Sequence, residues 1–199
     1  MDPSDSLRGV VAAGVHPLLS AFSRMRVILI RHGPAARRDA RRWPDDTRRP
    51  LTDRGIERTE LAMRGLRRLL RPGRVITSPL RRALETAEIV RRVYAMDAIV
   101  ETTPLLAPGV AYHRVVELLA RCKPAEVVAL IGHEPDFGKL AGVLVFGAPA
   151  ATLPLKKAGV CVIDFAGRVE PGKGRLLAFL PPRALRARAR ARARTRAQA

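Results

Sequence analysis

Two apolar runs of the sequence end in ionisable side chains. Residues 27–30 are followed by Arg31 and His32, and residues 127–131 are followed, after one glycine, by His133. A guanidinium keeps its charge at any working pH, and its planar fork matches the oxygens of a phosphoryl group. A neutral imidazole nitrogen can accept that group to form a covalent intermediate. Residues of these types at these positions indicate phosphoryl transfer.

A third segment contributes further guanidinium groups. In TSPLRRALETAE, residues 77–88, Arg81 and Arg82 fall in the first turn of a predicted helix that follows the predicted strand RVITS. Arginines beside a second imidazole can stabilise negative charge on the phosphoryl oxygens during transfer. Spacing alone leaves open which of the two arginines has this role.

A metal site is the alternative chemistry for two histidines. The carboxylate ligand of such a site would come from Glu134, Asp136 or Asp39. The fixed positive charge of Arg31 beside His32 disfavours a bound cation. We therefore expect no metal at these histidines.

The elements that must position these side chains alternate between strand and helix. The run 127–131 is apolar without interruption, which indicates a strand buried on both faces, as in a parallel sheet covered by helices. We predict an α/β fold, a three-layer α/β/α sandwich whose central sheet is mostly parallel. In such sheets the ligand site forms at the carboxyl ends of the strands, where Arg31, His32 and His133 are expected.

Length and charge indicate one domain with two tails. A chain of 199 residues with 47% apolar residues suits one domain, predicted here over 25–182 and preceded by a flexible extension over 1–24. The net charge is +19, and seven arginines fall in the last segment, 183–199. Arg and Ala alternate there without an apolar stripe, so we expect a disordered tail. Such a tail can contact nucleic acid or another polyanion, but it has no aromatic residue for specific stacking on bases.

Membrane and secreted classes of protein are disfavoured. No apolar stretch is long enough to span a bilayer, and the acidic N-terminal segment fits a signal peptide poorly. Cys122 and Cys161 lie far apart, which indicates neither a disulfide framework nor a zinc site. The expected location is cytoplasmic, and the sequence leaves the oligomeric state open.

Three segments together resemble a known family. LIRHGPA, TSPLRRALETAE and LIGHEPDFG follow the order and spacing of the R-H-G, S-P-x-x-R-A-x-x-T-A and G-H motifs of the histidine phosphatase superfamily. The resemblance extends from residue 26 to about residue 180 and is strongest to the small SixA-type phosphohistidine phosphatases. It implies a phosphoglycerate mutase-like fold without metal or cofactor. It also implies that His32 is the nucleophile and that Arg31, Arg82 and His133 are catalytic residues that bind the phosphoryl oxygens.

One feature departs from relatives that hydrolyse phosphate monoesters. Those enzymes have a glutamate general acid before the G-H motif, whereas no carboxylate occurs here between Glu101 and Glu117. Glu101 is kept as a weak candidate, together with Asp45 and Asp46. An alkoxide leaving group needs an acid, worth about 10²- to 10⁴-fold in rate. An imidazole does not, because its nitrogen is protonated near neutral pH, with a pKa of about 6.5.

We therefore predict a phosphatase that forms a phosphohistidine enzyme intermediate and acts on phosphohistidine in proteins. The alternatives are a phosphatase of small phosphate monoesters and a non-catalytic phosphate- or phosphoprotein-binding module. The partner is a phosphorylated protein or a small phosphorylated molecule. The basic loop 36–50 contains the sole tryptophan, Trp43. This loop either recruits an acidic phosphoprotein surface or is a solvated surface loop, and Lys157 is expected at the surface.

Overall fold

The computed structural model describes residues 24–96, 100–123 and 125–197, with side chains described through residue 191. Six strands form one sheet: β1 (Met25–Arg31), β2 (Arg74–Thr77), β3 (Glu101–Thr102), β4 (Val127–Gly132), β5 (Val160–Phe165) and β6 (Arg175–Leu180). Their order is β3-β2-β4-β1-β5-β6. The first four in this order are parallel, and β5 is antiparallel to both β1 and β6. The sheet is mostly parallel, as predicted.

Five α-helices are described: α1 (Asp53–Leu66), α2 (Arg81–Tyr94), α3 (Tyr112–Ala120), α4 (Asp136–Phe146) and α5 (Pro182–Ala197). Short 3-10 helices occupy Asp46–Arg48 and Pro104–Leu106. None of the described helices is long and apolar enough to cross a bilayer.

Alternating side chains of the central strands divide the core into two halves. Ile28 and Ile30 of β1 belong to a buried cluster with residues of α1, α2 and α5. Val27 and Leu29 of the same strand belong to a second cluster with residues of α3 and α4. Because neighbouring residues of a strand point to opposite faces, the sheet is the middle of three layers. The predicted α/β/α architecture is confirmed.

The C-terminal segment differs from the prediction. A disordered tail was expected over 183–199, but α5 begins at Pro182, and Leu185 and Ala189 are buried with 1% and 6% exposure. Their spacing of four residues puts both on one helix face. A Cβ atom on Gly65 of α1 would collide with the carbonyl oxygen of Leu185, so glycine allows this close approach. Two apolar side chains of the Arg-Ala segment, Leu185 and Ala189, therefore hold α5 against the domain. The predicted extension 1–24 lies, except for Arg24, outside the described residues.

Candidate active site

The two imidazoles predicted for the site come together at the carboxyl ends of β1 and β4. These strands are adjacent and parallel, with Arg31 in register with Gly132. The backbone N–H of His32 donates to the Gly132 carbonyl at 3.0 Å. Both rings are buried, and the centroids of His32 and His133 are 5.1 Å apart. Adjacent strands thus place both imidazoles in one site.

The His32 ring is held with one nitrogen free to react. Its Nδ1 lies 2.7 Å from the carbonyl oxygen of Gly33. Because a carbonyl only accepts hydrogen bonds, Nδ1 carries the proton and Nε2 keeps its lone pair. Burial lowers the pKa of His32 to about 3, and the nearby His133, Arg82 and Arg31 also lower it. His32 is therefore a neutral imidazole at physiological pH, as a nucleophile requires.

The His133 ring is oriented by a serine of the S-P motif. Its Nε2 lies 2.8 Å from Oγ of Ser78, which also accepts a hydrogen bond from the Leu80 N–H at 3.3 Å. Ser78 is fully buried, and its hydroxyl has no other acceptor among the described residues, so it donates its proton to Nε2 and the ring proton lies on Nδ1. Burial lowers the pKa of His133 to about 3, assisted by Arg82. His133 is thus a neutral ring that presents an N–H donor.

Three buried nitrogen atoms of this site have no hydrogen-bond partner among the described residues: Arg31 Nε, Arg82 Nε and His133 Nδ1. The guanidiniums are otherwise anchored: Nη1 of Arg31 donates to the Leu155 carbonyl at 2.7 Å, and Nη1 of Arg82 donates to the Asp46 carbonyl at 2.9 Å. Buried donors without acceptors are rare and need an explanation. An anion with several oxygens would satisfy all three.

The loop that follows His32 is fixed to α2. The Gly33 N–H donates to Oγ1 of Thr86 at 3.0 Å, and the Thr86 hydroxyl donates to the Arg82 carbonyl at 2.7 Å. A Cβ atom at position 33 would collide with Oγ1 of Thr59, so only glycine fits here. The threonine of the second motif therefore connects the loop after His32 to the helix that carries Arg82.

Comparison with known proteins shows the family to which the chain belongs. Residues 27–106 match the model of the histidine phosphatase superfamily (branch 1). An uncharacterized protein of Picosynechococcus sp. is 36% identical over an alignment of 139 residues, and the match covers 68% of this chain and 82% of the relative. The chain belongs to the histidine phosphatase superfamily. It is a phosphatase of that superfamily.

Solved histidine phosphatases share its fold. The protein histidine phosphatase SixA, in a complex with tungstate, matches 81% of this chain and 99% of its own chain, with a TM-score of 0.68 and 26% identity. A mycobacterial glucosyl-3-phosphoglycerate phosphatase matches 79% of this chain and 99% of its own, with a TM-score of 0.59 and 16% identity. The second likeness is one of fold alone. The resemblance inferred from the three motifs, including its closeness to SixA, is confirmed.

The two arginines that follow the S-P motif lie in different environments. Arg82 is buried with 3% exposure and lies close enough to His32 and His133 to lower the pKa of both. Arg81 is exposed, and its Nε donates to Oε1 of Glu85 at 2.8 Å. The arginine that the family motif selects is the one beside the imidazoles.

The prediction of Glu101 as a general acid is contradicted. Both carboxylate oxygens of Glu101 accept hydrogen bonds from Arg74, at 2.5 and 2.6 Å. These contacts hold the pKa of Glu101 below its usual value. Arg74 begins β2, at the strand end opposite the imidazoles. The sequence did not show this cross-strand ion pair, because the register of β2 and β3 was unknown.

Asp45 and Asp46 of loop 36–50 are also held ionised. The Asp45 carboxylate caps the 3-10 helix through the Thr47 hydroxyl and N–H, which lower its pKa. The Asp46 carboxylate lies 2.7 Å from Nε of Arg49 and 3.2 Å from Nη1 of Arg82. The hydrogen bond from Arg49 is the main cause of its lowered pKa. Asp46 thus borders the site as an anion rather than as a proton donor.

Three further charged groups surround the site, and sequence reasoning assigned none of them a part in phosphoryl transfer. Arg49 is buried, and the pKa of Arg82 is lowered first by burial and then by the charge of Arg49. Partial burial lowers the pKa of Lys157, as do the charges of Arg31, Arg49 and Arg82. Glu134 has a pKa raised mainly by burial, and its Oε1 accepts the Leu155 N–H at 2.9 Å. Arg49 and Lys157 each follow a residue of the same type, Arg48 and Lys156, so the local sequence does not single them out.

Metal ligation finds no support in the described part of the chain. Nowhere in residues 24–96, 100–123 and 125–197 do three or more His, Cys, Asp or Glu side chains form a group able to hold a metal ion. Cys122 and Cys161 are both buried free thiols.

Proposed function

We propose that this histidine phosphatase is a SixA-type phosphohistidine phosphatase with His32 as the nucleophile. The observation that carries the proposal is the set of buried donors around His32: Arg31 Nε, Arg82 Nε and His133 Nδ1 lack any acceptor among the described residues. Three oxygens of a phosphoryl group match this set of donors. Donors fixed in place before the reaction stabilise developing charge without the cost of reorganisation.

The reaction takes two balanced steps. The Nε2 lone pair of His32 attacks phosphorus, and the bond from phosphorus to the substrate nitrogen breaks. A substrate imidazole that is protonated on its other nitrogen leaves as a neutral ring. The Nδ1–H of His32, donating to the Gly33 carbonyl at 2.7 Å, stabilises the positive charge that forms on the His32 ring. Water then attacks phosphorus, the bond to Nε2 breaks, and both protons of the water leave with phosphate.

The preference for a phosphoramidate rests on the state of the three carboxylates that were candidates for a general acid. Glu101 is paired with Arg74, and Asp45 and Asp46 are held ionised by their hydrogen bonds. None of the three offers a proton for an alcohol leaving group, which depends on acid catalysis. A protonated imidazole leaving group needs none. This supports phosphohistidine over a phosphate ester as substrate.

One observation favours a monoester phosphatase as the second candidate. Glu134 directly follows His133, and its pKa is raised by burial although Arg31 lies nearby. A carboxyl group with a raised pKa can act as a general acid. Its Oε1 already accepts the Leu155 N–H, which favours the ionised form and makes this candidate the weaker one.

Substrate comparison tests the proposal. The values of kcat/KM are measured for a phosphohistidine protein and for an aryl phosphate with the full chain and with Glu134→Gln. We expect preference for the phosphoramidate and little effect of Glu134→Gln on its turnover. Faster ester turnover that is lost in Glu134→Gln would favour the monoester phosphatase. Binding of both substrates without turnover would indicate a non-catalytic module.

A further inference from the structure

A separate cavity lies beside the proposed active site. It measures about 260 Å³ and is lined by Arg42, Trp43, Pro44, Asp45, Arg48 and Arg81. Two residues of its lining are sequence neighbours of residues in the site. Asp45 precedes Asp46, whose carboxylate contacts Arg82, and Arg81 precedes Arg82 itself. A group bound in this cavity would therefore sit next to a substrate whose phosphoryl group is at His32.

The cavity contains more donors than acceptors. Oδ1 of the Asp45 carboxylate already accepts hydrogen bonds from the N–H and hydroxyl of Thr47 at 2.9 and 2.6 Å, and Oδ2 remains as one acceptor. Arg81 is balanced by Glu85 at 2.8 Å. Neither Arg42 nor Arg48 forms a side-chain ion pair with any residue in the described part of the chain. The guanidinium groups of Arg42 and Arg48 are therefore available to bind an anion.

Trp43 adds an aromatic wall and one more donor. The guanidinium of Arg42 lies 5.5 Å from the centroid of the indole ring. The indole Nε1 is buried and has no hydrogen-bond partner among the described residues. An indole nitrogen can only donate. Apart from Oδ2 of Asp45, the unpaired groups described for the cavity are donors, which fits an oxygen-bearing anion.

We propose that this cavity binds a carboxylate of the phosphorylated protein, an aspartate or glutamate side chain close to the phosphohistidine. The proposal rests on the proposed function. The charge around the cavity favours a protein surface over an isolated small anion, because Arg37, Arg38 and Arg41 of the same loop are also exposed. A broad basic surface complements an acidic protein surface and speeds its association.

The position of Trp43 supplies a direct readout. It is the only tryptophan of the chain, so its fluorescence reports on the cavity without any label. The full-length protein is titrated with an unphosphorylated histidine peptide that carries flanking aspartates, and with the same peptide carrying asparagines. Two double variants are compared: Arg42→Ala with Arg48→Ala, and Arg37→Ala with Arg41→Ala as a control of equal charge outside the cavity lining. All four side chains are exposed.

The expected result is a saturable fluorescence change with the aspartate peptide, with Kd about tenfold higher for the cavity variant, as for the loss of a charge-assisted hydrogen bond. The control variant should change Kd by less than about threefold, as for a screened surface charge. Equal binding of both peptides, or equal loss in both variants, overturns the proposal. So does saturation by succinate or inorganic phosphate without peptide binding, which would indicate a small anion. The titration measures binding and needs no turnover. A negative result here therefore refutes the carboxylate site without refuting the proposed function, and loss of the proposed function would be seen in the turnover assay instead.

Discussion

The imidazole rings of His32 and His133 lie 5.1 Å apart, and each is fixed by a hydrogen bond on the side away from its proposed reactive nitrogen. A carbonyl holds His32 and a hydroxyl holds His133. The two rings therefore differ in function although both are neutral: one presents a lone pair and the other an N–H donor.

Ser78 determines which nitrogen of His133 carries the proton. In Ser78→Ala the ring is free to take the other tautomer, and its donor at Nδ1 is lost. We expect kcat/KM to fall by about 10²-fold, as for the removal of one donor to a transition-state oxygen. The ¹⁵N chemical shifts of His133 test the cause. Loss of activity with unchanged shifts would contradict a role through the tautomer.

The neutral histidines make stability depend on pH. Both have a pKa of about 3 in the folded chain against an ordinary value of 6.5, so the unfolded chain binds more protons between these values. Their contribution is complete above about pH 6.5 and decreases as pH falls toward about 3. Each histidine adds a slope of about 1.4 kcal/mol per pH unit.

Urea unfolding at pH 4, 5, 6 and 7 measures that slope. In His133→Gln the free energy of unfolding should depend less steeply on pH, by about one histidine's share. His113→Gln is the control, because His113 is exposed on α3. An equal slope in the wild-type chain and His133→Gln would mean that His133 is not held neutral in the folded state.

Lys157 contributes positive charge to the site. The backbone N–H of the next residue, Ala158, donates to the carbonyls of Arg31 and His32 at 3.1 Å, which holds the loop of Lys157 against the end of β1. In Lys157→Ala we expect KM for any phosphorylated substrate to rise about three- to tenfold, with kcat less affected, because a cation near the site attracts the dianion. Lys156→Ala removes the same charge one residue earlier and should leave KM nearly unchanged. Equal effects would indicate general steering only.

The packing of α5 on α1 contributes to the stability of the domain. Leu185→Ala removes a side chain with 1% exposure and should lower the free energy of unfolding by about 2–5 kcal/mol. Leu177→Ala is the control, because Leu177 is 39% exposed. Chemical denaturation compares the two. A cost below about 1 kcal/mol for Leu185→Ala, near that of a surface substitution, would show that α5 is not an integral part of the domain.

The central sheet and the main site residues were predictable because they depend on local patterns. Uninterrupted apolar runs identified β1 and β4, and parallel strands bring the residues that follow them to the same edge of the sheet. The choice of Arg82 over Arg81 required the family motif. Helix periodicity does not distinguish two adjacent arginines at a helix start.

Other features depend on contacts between distant parts of the chain. Glu101 is paired because β3 is in register with β2, which brings Arg74 within reach. The helix α5 is packed because Gly65, about 120 residues earlier, leaves room for it. Neither contact has a signal in the local sequence, so Glu101 and the C-terminal segment were the two predictions that needed correction.

Trapping the phosphorylated enzyme is the most direct test of His32 as the nucleophile. The full chain is mixed with a phosphohistidine protein and quenched in alkali within milliseconds, since phosphohistidine is stable in base, and mass spectrometry then locates the phosphoryl group. We predict phosphate on His32, and no turnover and no trapped phosphate in His32→Ala. A phosphoryl group on His133, or turnover retained by His32→Ala, would contradict the mechanism.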